Sequence, residues 1–147
     1  MGKLQKTPAT LTSLWQRLLA LDCGLAFLGT KQRVPVDGTY THVDLVFYHR
    51  ILKCFVLIDL KTHKAKHQDI EKMTLCLNHY KAKESATNDN DPIGIILAID
   101  GNEMMVEYVA GAISQQQCLT VYQPSLPDTD VLQAQLQQLL DEQGNNA

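Results

Sequence analysis

The sequence predicts an α/β fold with a mixed central sheet flanked by helices. Three observations predict it. Residues 42–61 read as two adjacent strands around a short turn at 50–52, and the second is apolar on both faces from Phe55 to Ile58, as a central strand should be. After Lys61 the apolar period becomes helical, with Ile70, Met73, Leu77 and Tyr80 on one face. A second strand buried on both faces, 93–99, follows that helix, and a strand regained through a helix is best placed parallel to a sheet neighbour.

Taken in order, residues 1–10 are polar and read as a flexible tail. Thr10 or Thr12 is the expected cap of a helix over 11–22, whose apolar face is Leu14, Trp15, Leu18, Leu19 and Leu21 and whose stop is Gly24. A first strand starts at 25–29 and extends toward Val36, and Asp37-Gly38 turns it into the strand that holds Asp44. The first three strands therefore form an antiparallel meander. The helix after Lys61 spans about 67–83, with Asp69 and Glu71 near the positive end of its dipole. A polar loop, 84–91, is closed by Pro92. Asp100-Gly101-Asn102 turns the chain out of the 93–99 strand into an expected short helix at 104–110. A fifth strand is expected at 119–122, then a last amphipathic helix through Val131, Leu132, Leu136, Leu139 and Leu140, with 143–147 fraying as a second tail. Residues 11–142 are thus read as one domain, with no internal repeat and no long linker.

Composition limits the functional classes. The chain has 147 residues, enough for one domain with a normal core, and its net charge of −3 gives no global sign of nucleic-acid binding. A local basic stretch does exist, with Lys61, Lys64, Lys66 and Lys72 around His63 and His67. Such a rim can hold phosphates, or can be a solvated helix start. Cys23, Cys54, Cys76 and Cys118 form no close pair, which favours a reducing cytosol over a disulfide scaffold and a cytoplasmic protein. No apolar run is long enough for a membrane span. His63 and His67 stand four apart but lack further ligands at zinc spacing, and His42, His49 and His79 read as edge or surface residues.

The chemistry concentrates in the 42–61 pair of strands. Asp59 and Lys61 lie two apart, so a strand directs both to one face, and Asp44 sits inside the neighbouring apolar run. A carboxylate within a buried strand costs several kcal/mol unless a partner compensates it. A buried salt bridge or solvent-reaching strand ends would account for these residues. A bound divalent metal with the lysine beside it would also account for them, and the order acidic residue, turn, Asp-x-Lys favours looking there.

These residues, with Gly24-Leu25-Ala26-Phe27-Leu28-Gly29, the run Val43 to Arg50, Ile58-Asp59-Leu60-Lys61, the run Asn88 to Leu97 and Val106-Glu107-Tyr108, resemble the PD-(D/E)xK nuclease superfamily. The nearer resemblance is to the C-terminal nuclease domain of YhcG-like bacterial proteins. The resemblance implies a restriction-endonuclease-like αβββαβ core, the element order already read from pattern. It implies a metal-dependent nuclease hydrolysing phosphodiester bonds, with DNA the expected substrate and Mg²⁺ or Mn²⁺ the cofactor. Asp44 and Asp59 would be the metal ligands, the carbonyl of Leu60 would complete the protein's share, and Lys61 would orient or deprotonate the attacking water or stabilise charge at the phosphate. Lys64, Lys66 and Lys72 would contact nucleic acid.

Two positions depart from the expected pattern. Ala20 stands where the close relatives place a glutamate, with Asp22 about 200° around the helix from it. Lys72 stands where they place a glutamine. The alternative is therefore a catalytically weak or inactive nuclease-fold module that binds nucleic acid. The sequence leaves open DNA versus RNA, endo- versus exonucleolytic action, and whether the chain is a homodimer.

Overall fold

The computed structural model describes residues 4–111 and 115–145. Five strands form one sheet in the order β1-β2-β3-β4-β5: β1 (Leu25–Val36), β2 (Thr39–His49), β3 (Cys54–Lys61), β4 (Ile93–Asp100) and β5 (Glu103–Val109). All neighbours are antiparallel except β3 and β4, which are parallel. That single parallel pair is made possible by α2 (His67–His79), which carries the chain from the end of one strand back to the start of the next. The helix widens into a π-helical turn at Tyr80–Glu84. The fold is the mixed α/β sheet that the strand pattern implies.

Each face of the sheet has its own helices. On one, α1 (Pro8–Ala20) and α4 (Thr129–Asn145) bury Leu11, Leu14, Leu18, Leu132, Leu136 and Leu139 against Leu45, Phe47, Val56 and Ile58. On the other, α2 buries Met73, Cys76 and Leu77 against Val46, Leu57 and Ile96. Alternate residues of β3 divide between the two cores, so this strand is covered on both sides. Gly94 lets α2 lie close: a Cβ there would meet Met73 Cγ at 2.6 Å. The β1–β2 turn places Asp37 at φ 48° and Gly38 at φ 81°, the left-handed pair that a two-residue hairpin uses.

Four expectations are corrected. Helix α1 begins at Pro8, with Thr7 as its cap through Thr10 N–H at 3.2 Å; neither Thr10 nor Thr12 caps it. Residues 104–110 do not form a helix. Met104, Val106 and Tyr108 pack on the core shared by α1 and α4, while Glu103 and Glu107 at alternate positions are exposed, which is strand alternation. The Asp100-Gly101 turn makes β5 the hairpin partner of β4, which would otherwise be a bare sheet edge. Residues 119–122 are not a strand, because the chain is helical there: α3 (Gln115–Gln117) continues through π-helical and 3₁₀ turns to Ser125. Cys118, Tyr122 and Leu126 are buried at a spacing of four, so the β-branched and aromatic composition misled while the period did not. Finally, His49 is fully buried rather than an edge or surface residue. At the C-terminal end α4 continues to Asn145, through the start of the stretch expected to fray.

His49 holds the turn after β2. Its Nδ1 accepts N–H bonds from Ile51 at 3.2 Å and Leu52 at 3.0 Å, so the ring proton sits on Nε2, which donates to Ser125 O at 2.7 Å. Burial lowers the His49 pKa, against the opposing effect of the Ser125 carbonyl. A proton on Nδ1 would face two N–H donors, so the fold holds the neutral ring. The unfolded chain takes up that proton near its ordinary value of about 6.5, and this contribution to stability is present above that pH and lost below it. Urea unfolding should therefore show a stability loss between pH 7.5 and 5, with a slope of at most about 1.4 kcal/mol per unit from this group. His49→Gln should reduce that pH dependence.

Candidate active site

The β2–β3 ladder pairs Leu45 with Ile58 at one end and His49 with Cys54 at the other. One step beyond Leu45 and Ile58 stand Asp44 and Asp59, and here the strands part. β3 stays paired with β4 as far as Lys61 and Ala98, while the rest of β2 pairs only with β1. The fork would strand backbone donors in a dry place, and the two carboxylates take them up. Asp44 N–H donates to Asp59 Oδ1 at 3.0 Å, and Leu60 N–H donates to Asp44 Oδ2 at 2.9 Å. Each aspartate therefore satisfies the other strand's backbone. Asp44 is 6% and Asp59 2% exposed.

Lys61 follows Asp59 onto the face covered by α2. Its Nζ lies 3.8 Å from Asp69 Oδ1, beyond hydrogen-bond range, so charge alone holds it there. Asp69 Oδ2 accepts Lys66 N–H at 2.9 Å and so closes the first turn of α2. Lys61 and Lys72 both bring positive charge toward Asp59. They do not prevail: burial is the largest influence and raises the Asp59 pKa, Asp44's negative charge adds to it, and the Asp44 N–H bond opposes it. Lys64 and Lys66 are exposed on the rim, and Lys72 is half-buried. The structure thus brings together Asp44, Asp59 and Lys61, sets Lys72 within electrostatic reach, and leaves Lys64 and Lys66 outside the fork.

The sequence reading missed Lys6. Its Nζ lies 2.6 Å from Asp44 Oδ2, with the lysine side chain 31% exposed. It sits in a segment without periodicity or motif, so no sequence signal marked it. Ala20 is the last residue of α1, and Asp22 is an exposed residue beyond it at φ 52°. Among the described residues, no group of three or more His, Cys, Asp or Glu side chains could hold a metal. His67 pairs with Glu71 at 2.8 Å and His63 with the Lys64 carbonyl at 2.9 Å.

The fork's chemistry is compatible with a hard divalent cation. Its donors are carboxylate oxygens, and Asp44 Oδ1 and Asp59 Oδ2 have no hydrogen-bond partner among the described residues. Two carboxylates suffice for an ion that keeps several waters. A groove of about 450 Å³ runs along β4 and β5, lined by Lys64, Ala65, Ile96, Ala98 and residues of β5 and α4; Asp44, Asp59 and Lys61 are not part of its wall. Ile96 and Ala98 are the β4 partners of Asp59 and Lys61.

The loop before β4 has a structural task. Tyr48 Oη donates to Asp89 Oδ1 at 2.6 Å, and Asn90 Nδ2 donates to Leu52 O at 2.7 Å. These bonds tie residues 89–90 to the β2–β3 turn, which accounts for the dense polar sequence there. The Tyr48 hydroxyl is pushed up to about 12, chiefly by its bond to Asp89.

An acidic residue on one strand and Asp-x-Lys on its antiparallel neighbour, followed by a helical crossover to a parallel strand, is the arrangement of the PD-(D/E)xK nucleases. The chain belongs to the YhcG PDDEXK nuclease domain family, which it matches over residues 7–140. It is 30% identical over 120 residues to the Escherichia coli (strain K12) protein named "Putative nuclease YhcG". That alignment covers 82% of this chain and 32% of the relative, so the chain spans about a third of the relative's length. Among solved structures it is similar to a repair endonuclease from Pyrococcus abyssi, with a TM-score of 0.48 and 16% identity over 68% of this chain and 41% of that one.

The raised Asp59 pKa means that the ionised side chain is penalised when no cation accompanies it. Asp59→Asn keeps the acceptor for Asp44 N–H and removes the charge. Thermal unfolding in EDTA should show this variant melting above the parent.

Proposed function

We propose that the chain is a metal-dependent nuclease that hydrolyses phosphodiester bonds in DNA, with Asp44, Asp59 and Lys61 as its centre. The observation that carries this reading is the fork, where two nearly buried carboxylates from adjacent strands meet with a lysine two residues on. Asp44, Asp59 and the Leu60 carbonyl would hold Mg²⁺ or Mn²⁺. Such an ion lowers the pKa of a bound water and withdraws charge from a phosphate oxygen.

The chain's own residues do the positioning. The bonds from Asp44 N–H and Leu60 N–H fix both carboxylates before substrate arrives, so little reorganisation remains for the reaction. Lys61, anchored only loosely by Asp69, is free to donate to the phosphate or to the attacking water. Lys64, exposed at the groove, exposed Lys66 and Lys72 on α2 are the proposed backbone contacts for nucleic acid. The reading places the protein in the cytoplasm. Its four cysteines are free thiols, and no helix among the described residues is long and apolar enough to cross a membrane.

A second reading, a nucleic-acid-binding module with weak or no catalysis, is favoured by one feature: Ala20 supplies no outer carboxylate, and the fork offers two. Purified protein assayed on supercoiled plasmid and on linear single- and double-stranded DNA, with Mg²⁺, Mn²⁺ or EDTA, separates the two. Cutting that requires the ion and falls by about 10²-fold or more in both Asp59→Ala and Lys61→Ala is the expected result. DNA binding without cutting would establish the binding module. In the same preparations, Lys64→Ala and Lys66→Ala should each weaken DNA binding across sequences and lower the slope of log affinity against log salt by roughly 1.

A further inference from the structure

Lys6 lies just ahead of the residues that match the family, 7–140, yet it touches the centre. The chain around it is fastened on both sides. Leu4 is buried in the core shared by α1 and α4. The Gln5 N–H donates to Gln143 Oε1 at 2.8 Å, and the Gln5 carbonyl accepts from Gln143 Nε2 at 3.0 Å and from Thr10 Oγ1 at 2.6 Å. Thr7 caps α1. Residues 4–7 are therefore a strap between α1 and α4, and the strap sets the Lys6 backbone while its side chain reaches Asp44.

At Asp44 Oδ2 the Lys6 ammonium joins the Leu60 N–H, so this oxygen has one charged and one neutral donor. Asp59 forms no ion pair among the described residues and is the less exposed of the two aspartates. Two carboxylates facing one another across a fork repel, and a positive charge on either relieves both. A divalent ion would relieve them more fully, but it and an ammonium at 2.6 Å cannot share the same oxygen face.

We infer that Lys6 is an internal counter-cation of the centre: it neutralises Asp44 when no divalent ion is bound and competes with that ion for the carboxylate. The inference rests on the proposed reading of Asp44 and Asp59 as the ligand pair. The partial exposure of Lys6 and its flexible stem let the ammonium swing clear when an ion enters. The strap thereby sets an occupancy threshold, and the centre loads only at an ion concentration high enough to displace a tethered charge.

The test is Mn²⁺ titration of the full chain by calorimetry, at fixed pH and salt and without nucleic acid. Lys6→Gln is expected to bind Mn²⁺ about three- to tenfold more tightly than the parent, the range that a partly exposed charge-assisted contact supports. Lys6→Arg, which keeps the charge, should stay near the parent, and Asp44→Asn should abolish binding. Lys6→Gln should also melt lower than the parent in EDTA but gain more on adding Mn²⁺. Gln143→Leu loosens the strap without touching the charge and should shift affinity in the same direction, which guards against a Lys6 variant that folds poorly. Mn²⁺ affinity unchanged or weakened in Lys6→Gln, with the parent binding the ion, would overturn the inference and leave the proposed centre standing. A folded parent that binds no Mn²⁺ would overturn both.

Discussion

Between β2 and β3 the hydrogen-bond ladder changes its currency from backbone carbonyls to side-chain carboxylates, and the rest of the molecule depends on that exchange. A sheet that forks in a dry interior leaves N–H groups without acceptors, at a cost of about 1–3 kcal/mol for each. Asp44 and Asp59 accept from Leu60 and Asp44 and so stabilise the gap between the strands. Structure and chemistry are thus supported by the same two hydrogen bonds. These bonds use one oxygen of each side chain, Asp59 Oδ1 and Asp44 Oδ2, and the second also meets the Lys6 ammonium.

The two helical layers supply opposite halves of the electrostatic setting. The layer of α2 carries Lys72 and, through Asp69, positions Lys61. The layer of α1 and α4 carries the strap and Lys6. Asp59 therefore looks toward positive charge that never quite reaches it, and Asp44 has a cation in contact. The asymmetry is set by packing: β3 is covered on both faces, and β2 beyond the fork is paired only with β1, so a side chain from the strap can approach Asp44 and not Asp59.

How much of this the sequence disclosed depended on whether a residue's role was local. Strands β1 to β4, the 37–38 turn and α2 were legible because their signals are periodic and their turns carry the residues that the backbone angles demand. The site aspartates were legible because a charge inside an apolar strand is an anomaly. The helix expected at 104–110 and the strand expected at 119–122 were exchanged in kind. Met104 to Val109 mixes apolar residues at spacings of one and two, and only the exposed edge of β4 decides for a strand. Cys118, Tyr122 and Leu126 declare a helix only when read together. His49 and Lys6 were misjudged or missed for a different reason: their partners, Ser125 and Asp44, lie 76 and 38 residues away in sequence, and no local pattern encodes such a meeting.

The distance in sequence between Gln5 and Gln143 has a bearing on the order of assembly. The two carboxylates belong to a hairpin and stand fifteen residues apart, so their hydrogen bonds close a short loop. The strap closes through contacts 138 residues apart, across nearly the whole chain, where loop entropy is greatest. A folding chain can thus form its anionic pair well before the tethered ammonium is in place. For that interval Asp44 and Asp59 stand without the Lys6 ammonium that relieves their mutual repulsion in the folded protein.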